Sequence, residues 1–132
     1  MHENFFHKIK IYYEDTDSGG VVYYANYLKF LERARSEAIH SLGFSNKGLL
    51  ENHGILLIVK SCNIQYKKPA QLEDLLEIIS QAISFTKTSI LMKQLILKNK
   101  DIISEAEVHL VAVDNKGKPT KIPDQLKRKL EN

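Results

Sequence analysis

A single long stretch of helical periodicity constrains this chain more than any other feature. Over residues 24–42, Tyr27, Phe30, Leu31, Ala34, Ala38 and Leu42 recur at spacings of three and four around Lys29, Glu32, Arg33, Ser36 and Glu37, so one helix face is apolar and the other charged. Gly43 follows and suits a left-handed C-terminal cap. After Gly54 the chain reads as strands rich in Ile, Leu and Val, over 55–66, 72–85, 89–98 and 102–113. The 72–85 segment also fits helical spacing through Leu72, Leu75, Leu76 and Ile79, and strand is the preferred reading. Ahead of the helix, Ile9 and Ile11 alternate with Lys8, Lys10 and Tyr12, which makes 5–13 a half-buried first strand. A lone helix has to bury its apolar stripe, and a curved antiparallel sheet wrapped around it is the simplest way to do so. The expected fold class is therefore α+β. The sheet leaves edges and a second face to cover, which in so short a chain points to self-association.

The connections agree with a meander of the last three strands. Lys98-Asn99-Lys100-Asp101 reads as a tight hairpin turn and Thr86-Lys87-Thr88 as another. The tail from Lys116 carries Pro119 and Pro123 and ends in a short basic helical segment, 125–130. At 132 residues the chain suits one domain spanning 1–132. Nineteen Lys and Arg against sixteen Asp and Glu leave +3, too small a surplus for a nucleic-acid binder without a dense basic face. One cysteine, Cys62, excludes an intramolecular disulfide and fits a reducing compartment, so cytoplasm is the expectation. The first residues lack a basic region followed by an apolar one, and no apolar run approaches ~18 residues, so neither export nor a membrane span is expected.

Chemistry is expected where the first strand gives way to the helix, at Glu14-Asp15-Thr16-Asp17-Ser18-Gly19-Gly20. A helix start offers unpaired N–H groups and a partial positive charge, and a neighbouring carboxylate can act as base or nucleophile. A calcium loop counted from Asp15 would put Asp17 third, Gly19 fifth and Asn26 twelfth, a poor match to the required oxygen ligands. A phosphotransferase built on Asp15 and Asp17 would need a larger alternating β/α domain. Acyl transfer, with Asp17 as base or nucleophile and helix-start amides as oxyanion hole, fits the local pattern. A solvated acidic turn fits it as well.

The residues from Ile11 through Gly19-Gly20-Val21-Val22-Tyr23-Tyr24-Ala25-Asn26-Tyr27, followed by Glu32-Arg33-Ala34-Arg35-Ser36-Glu37, resemble the signature of the hotdog-fold acyl-CoA thioesterases. More narrowly, they resemble the Tol-Pal-associated branch related to 4-hydroxybenzoyl-CoA thioesterase. The resemblance continues through Tyr66-Lys67-Lys68-Pro69-Ala70 and Val113-Asp114-Asn115-Lys116-Gly117-Lys118-Pro119 to Ile122-Pro123. It implies a helix wrapped by an antiparallel sheet, assembly into dimers or tetramers, and hydrolysis of acyl-CoA to a carboxylic acid and free CoA. It also implies Asp17 as the catalytic aspartate and the main-chain amide of Tyr24 as the group that polarises the thioester carbonyl. Many members of the branch carry His at the Tyr24 position, and a backbone amide survives that change. No metal or redox cofactor is implied. A non-catalytic module binding acyl-CoA or acyl carrier protein in the same groove is the alternative, and the presence of Asp17 with the Gly19-Gly20 turn favours the enzyme.

Lys60, Lys67 and Lys68 are either surface charges at strand ends or contacts for CoA phosphates. Cys62 is expected as a buried, inert thiol. His40 is expected to solvate or cap the end of the helix, and Thr16 and Ser18 to bond within the turn. Glu14 and Asp15 are read as structural or tuning groups. Arg33 and Arg35 are expected to pair with neighbouring acids or to pack at a subunit contact.

Overall fold

A computed structural model describes residues 3–131; Met1, His2 and Asn132 lie outside it. The elements in chain order are strand β1 (Asn4–Lys10), a 3-10 turn (Tyr13–Asp15), helix α1 (Asn26–Ser41), helix α2 (Asn46–His53), strands β2 (Leu56–Tyr66), β3 (Leu75–Phe85), β4 (Ser89–Lys98) and β5 (Asp101–Val113), and helix α3 (Asp124–Glu131). The strands form one antiparallel sheet in the order β1-β3-β4-β5-β2. The α+β expectation holds, and the 72–85 segment is strand rather than helix.

The sheet's inner face follows from period-two alternation. Leu76, Ile78, Ser80 and Ala82 of β3, Ile90, Met92, Gln94 and Ile96 of β4, and Ala106, Val108, Leu110 and Ala112 of β5 are buried. Against them α1 lays the stripe foreseen from its spacing, with Tyr27, Phe30, Leu31, Ala34 and Ala38 all buried. Each large apolar side chain so buried stabilises the fold by roughly 1.5–3 kcal/mol. Two polar side chains cross this interface. The Gln94 amide donates to the Leu31 carbonyl at 3.0 Å and to Ser80 Oγ at 2.9 Å, and its Oε1 accepts from Arg35 Nη1 at 3.1 Å. Arg35 is thus buried with its hydrogen bond on an amide, while the nearby Glu32 acts on it only through its charge, and burial lowers the guanidinium pKa.

Local chemistry sets the boundaries. β1 stops before Ile11, short of the expected residue 13, because the Asp15 carboxylate accepts the Tyr12 N–H at 2.9 Å and curls the chain into the 3-10 turn. β3 begins only at Leu75, because Asp74 accepts the Gln71 N–H at 2.7 Å and Glu73 takes φ 66° in the turn between them. Asn99 and Lys100, at φ 51° and 69°, make the two-residue turn that matches the twist of the β4–β5 hairpin. Gly43 caps α1 at φ 88°, as its position suggested.

β2 departs from the pattern. None of its 11 residues is buried, and Leu56, Ile58, Val59 and Tyr66 are all exposed. The strand pairs with β5 on one side and has a free edge on the other. Cys62 sits in this strand, so the expectation of a buried thiol is corrected: it is exposed, although partial desolvation still raises its pKa. Among the described residues, no helix is long and apolar enough to cross a membrane.

Candidate active site

The loop between the 3-10 turn and α1 is a hairpin closed by its own backbone. Asp17 N–H donates to the Val21 carbonyl at 2.9 Å, and Gly20 N–H donates to the Asp17 carbonyl at 3.1 Å. The geometry favours glycine at position 20 and leaves little room for a side chain at 19. Gly20 takes φ +81°, and a Cβ on Gly19 would come within 3.2 Å of Asp17 Oδ1. Gly19 N–H donates to that oxygen at 2.8 Å, while the second carboxylate oxygen of Asp17 has no partner among the described residues. Asp17 is exposed.

Asp15, two residues earlier, has a different place. Its side chain is spent on the Tyr12 N–H, and its carbonyl accepts both the Tyr23 N–H at 3.0 Å and the Asn26 side-chain amide at 2.9 Å. That one carbonyl ties the loop to the foot of α1. Val22 N–H is held by the Ala70 carbonyl at 2.8 Å, which fixes the loop to the segment leaving β2. From the sequence, Asn26 was weighed only as the twelfth position of a calcium loop and Ala70 only as part of a wider motif.

α1 starts without the usual side-chain cap. Its N-cap is Ala25, no side chain accepts from the first turn, and no acidic residue lies there. A Ser, Thr, Asp or Asn in that place is typically worth ~1 kcal/mol, so the open helix start is a stability cost. The backbone N–H groups of Tyr24 and Ala25 have no acceptor among the described residues. An oxygen acquiring negative charge is the ligand such a terminus favours.

Beside it, Val22, Tyr24, Tyr27, Tyr66, Lys67, Lys68 and Pro69 line a cavity of about 260 Å³. Its walls are aromatic: Tyr66 lies edge-on to Tyr24 at 6.2 Å and packs against Tyr27 at 5.2 Å. Lys67 and Lys68 are exposed at its rim, in ion pairs with Glu105 at 3.2 Å and Asp101 at 3.9 Å. Such surface pairs are worth little and yield readily to a bound anion. Lys60 stands apart from this group, at the irregularity in β2 between Val59 and Ser61. Among the described residues, no three His, Cys, Asp or Glu side chains converge as metal ligands.

An exposed carboxylate held in a glycine turn, beside an open helix start and an aromatic cavity with a basic rim, is suited to attack on a carbonyl whose leaving group needs little help. Residues 12–130 match the thioesterase-like superfamily. The chain is 40% identical over 120 residues to the acyl-CoA thioesterase YbgC of Haemophilus influenzae, covering 90% of this chain and 88% of that protein. It is 39% identical over 120 residues to the acyl-CoA thioester hydrolase YbgC of Escherichia coli O6:H1, covering 89% of each. The crystal structure of a probable thioesterase from Bartonella henselae superposes with a TM-score of 0.89 at 32% identity, covering 92% of this chain and 100% of that one. The fold is the hotdog fold and the chain is a thioester hydrolase. It belongs to the thioesterase-like superfamily.

Proposed function

We propose that this chain, folded as one domain in the cytoplasm, hydrolyses acyl-CoA to a carboxylic acid and free CoA, with Asp17 as general base or nucleophile and the Tyr24 N–H as oxyanion donor. The observation that carries this reading is the unbonded Tyr24 N–H at an uncapped helix start, a few residues from a carboxylate with one oxygen free. In the base route Asp17 takes a proton from water as the water oxygen adds to the carbonyl carbon. The carbonyl oxygen becomes an oxyanion facing the helix start. When it collapses, the C–S bond breaks and the thiolate leaves, to be protonated to the thiol. In the nucleophile route the carboxylate itself adds, the thiolate leaves, and water then opens the mixed anhydride. A thiol has a pKa near ~8.5, so its anion departs without a strong general acid. Release of thiol from a panel of short, long and aromatic acyl-CoAs tests the reading. Tight binding of these thioesters, or of acyl carrier protein, with no thiol released would indicate a binding module instead.

Lys67 and Lys68, with Lys60 farther along β2, are assigned to the CoA phosphates. Exposed ammonium groups act on phosphates as screened point charges. Replacing the three with Gln should therefore raise KM several-fold, more than it lowers kcat, and added salt should reproduce the effect in the unmodified chain. A KM indifferent to both changes would move the nucleotide elsewhere.

The working form is assigned as a homodimer or homotetramer. The free edge of β2 and its exposed Leu56, Ile58 and Val59 support this, since a second copy laid along that edge would extend the sheet and cover them. Light scattering should give at least twice the 15.1 kDa chain mass. A monomer mass at micromolar concentration would count against the assignment.

A further inference from the structure

The segment that leaves β2 crosses the foot of α1 and fastens it at three points. Tyr66 Oη donates to the Tyr24 carbonyl at 3.2 Å, Ala70 N–H donates to Tyr27 Oη at 3.0 Å, and the Ala70 carbonyl accepts Val22 N–H at 2.8 Å. The segment is itself anchored to the sheet, because Lys67 and Lys68 both donate their backbone N–H to the Ile103 carbonyl, at 2.9 and 3.1 Å. Two of the three fastenings are buried and hold Val22 and Tyr27, which lie two residues before Tyr24 and three after it. Tyr24 itself is exposed. The peptide before it is held by Asn26 N–H on the Tyr23 carbonyl at 2.9 Å; the peptide after it has only Tyr27 N–H at 3.3 Å and the Tyr66 hydroxyl.

We infer that Tyr66 is a positioning residue for the oxyanion site: its hydroxyl fixes the peptide after Tyr24, and so holds the Ala25 N–H, the free donor next to that of Tyr24, in a fixed direction at the open helix start. The inference rests on the assignment above of the α1 start as the oxyanion site. The Tyr66 ring packs against Tyr24 and Tyr27 independently of the hydroxyl, so the two contributions can be separated. Desolvation raises the phenol pKa above its usual value, so the group stays protonated, and a donor, at neutral pH. A misdirected oxyanion donor weakens the transition state without weakening substrate binding.

The test compares Tyr66→Phe, which keeps the ring, with the unmodified chain, using one acyl-CoA thioester and 15N relaxation of both proteins. We expect kcat to fall roughly 5- to 10-fold with KM within about twofold and an unchanged Tm. The order parameter of the Ala25 amide should drop from the rigid value near ~0.85 toward ~0.6, while those of Val22, Tyr24 and Tyr27 hold. Replacing Tyr66 with p-aminophenylalanine, which restores a donor on the same ring, should recover both readouts. Unchanged order parameters in Tyr66→Phe would overturn the inference whatever kcat does, and so would a loss appearing in KM alone. If the unmodified chain turns over no thioester, the assigned reaction fails, and the positioning role is decided by the order parameters alone.

Discussion

Asp17→Asn should lower kcat by at least ~100-fold while leaving the fold intact, and Asp15→Asn should do far less. The asymmetry follows from what each carboxylate touches. The asparagine Oδ1 at position 17 can still accept the Gly19 N–H, so the turn persists, but neither a base nor a nucleophile remains. At position 15 the side chain serves only as an acceptor for the Tyr12 N–H, a role the asparagine oxygen also fills. Steady-state kinetics on the best acyl-CoA, with thermal melts of both variants, are the measurement. Equal and modest losses in the two would mean that the loop is only a solvated acidic turn. Equal losses reproduced by a chelator would restore the metal-loop reading.

Tyr24→Pro should abolish turnover, whereas Tyr24→Phe should be tolerated. Proline removes the N–H and leaves the carbonyl, and that N–H has no acceptor within the described chain, so its loss breaks no internal hydrogen bond. Tyr24 lies two residues before α1 begins, so proline there removes no hydrogen bond of the helix. Inactivity with an unchanged circular dichroism spectrum would tie the loss to the missing donor. Substantial residual activity in a folded Tyr24→Pro protein would remove this amide from the mechanism and leave Ala25 N–H as the remaining free donor at the helix start.

Much of the architecture was legible because its causes are local. The three-and-four spacing from Tyr27 to Ala38 specifies a buried stripe whatever lies opposite it, and Asn99, a residue that tolerates positive φ, marks the tight turn it makes with Lys100. α2 was missed for an equally physical reason. Only Leu49 of its eight residues is buried, so it has no stripe to detect. Its signals were at its ends, where Ser45 accepts the Gly48 N–H and Gly54 takes the left-handed cap at φ 66°. Cys62 was misplaced because an apolar strand sequence does not say whether the strand has one neighbour or two. Arg35 was read as a partner for neighbouring acids or a subunit-contact residue, and its hydrogen bond to Gln94, 59 residues away, is beyond any local pattern. In the site, Asp17 and the glycine turn could be read from spacing, whereas the hold of Tyr66 on Tyr24, across 42 residues, arises only once β2 is laid beside the helix.

The distribution of chromophores has a practical consequence. The chain has no tryptophan and six tyrosines: Tyr12 and Tyr13 adjoin the acidic loop, Tyr23, Tyr24 and Tyr27 lie at the foot of α1, and Tyr66 ends β2. The intrinsic near-ultraviolet absorbance and emission of the protein therefore come almost wholly from one end of the molecule, around the loop and the cavity. Occupation of the cavity, or displacement of the helix start, perturbs these rings directly, whereas events at the opposite end are nearly silent. The unlabelled protein carries its own optical probe of the site, one that can follow binding in an Asp17→Asn variant that no longer turns substrate over.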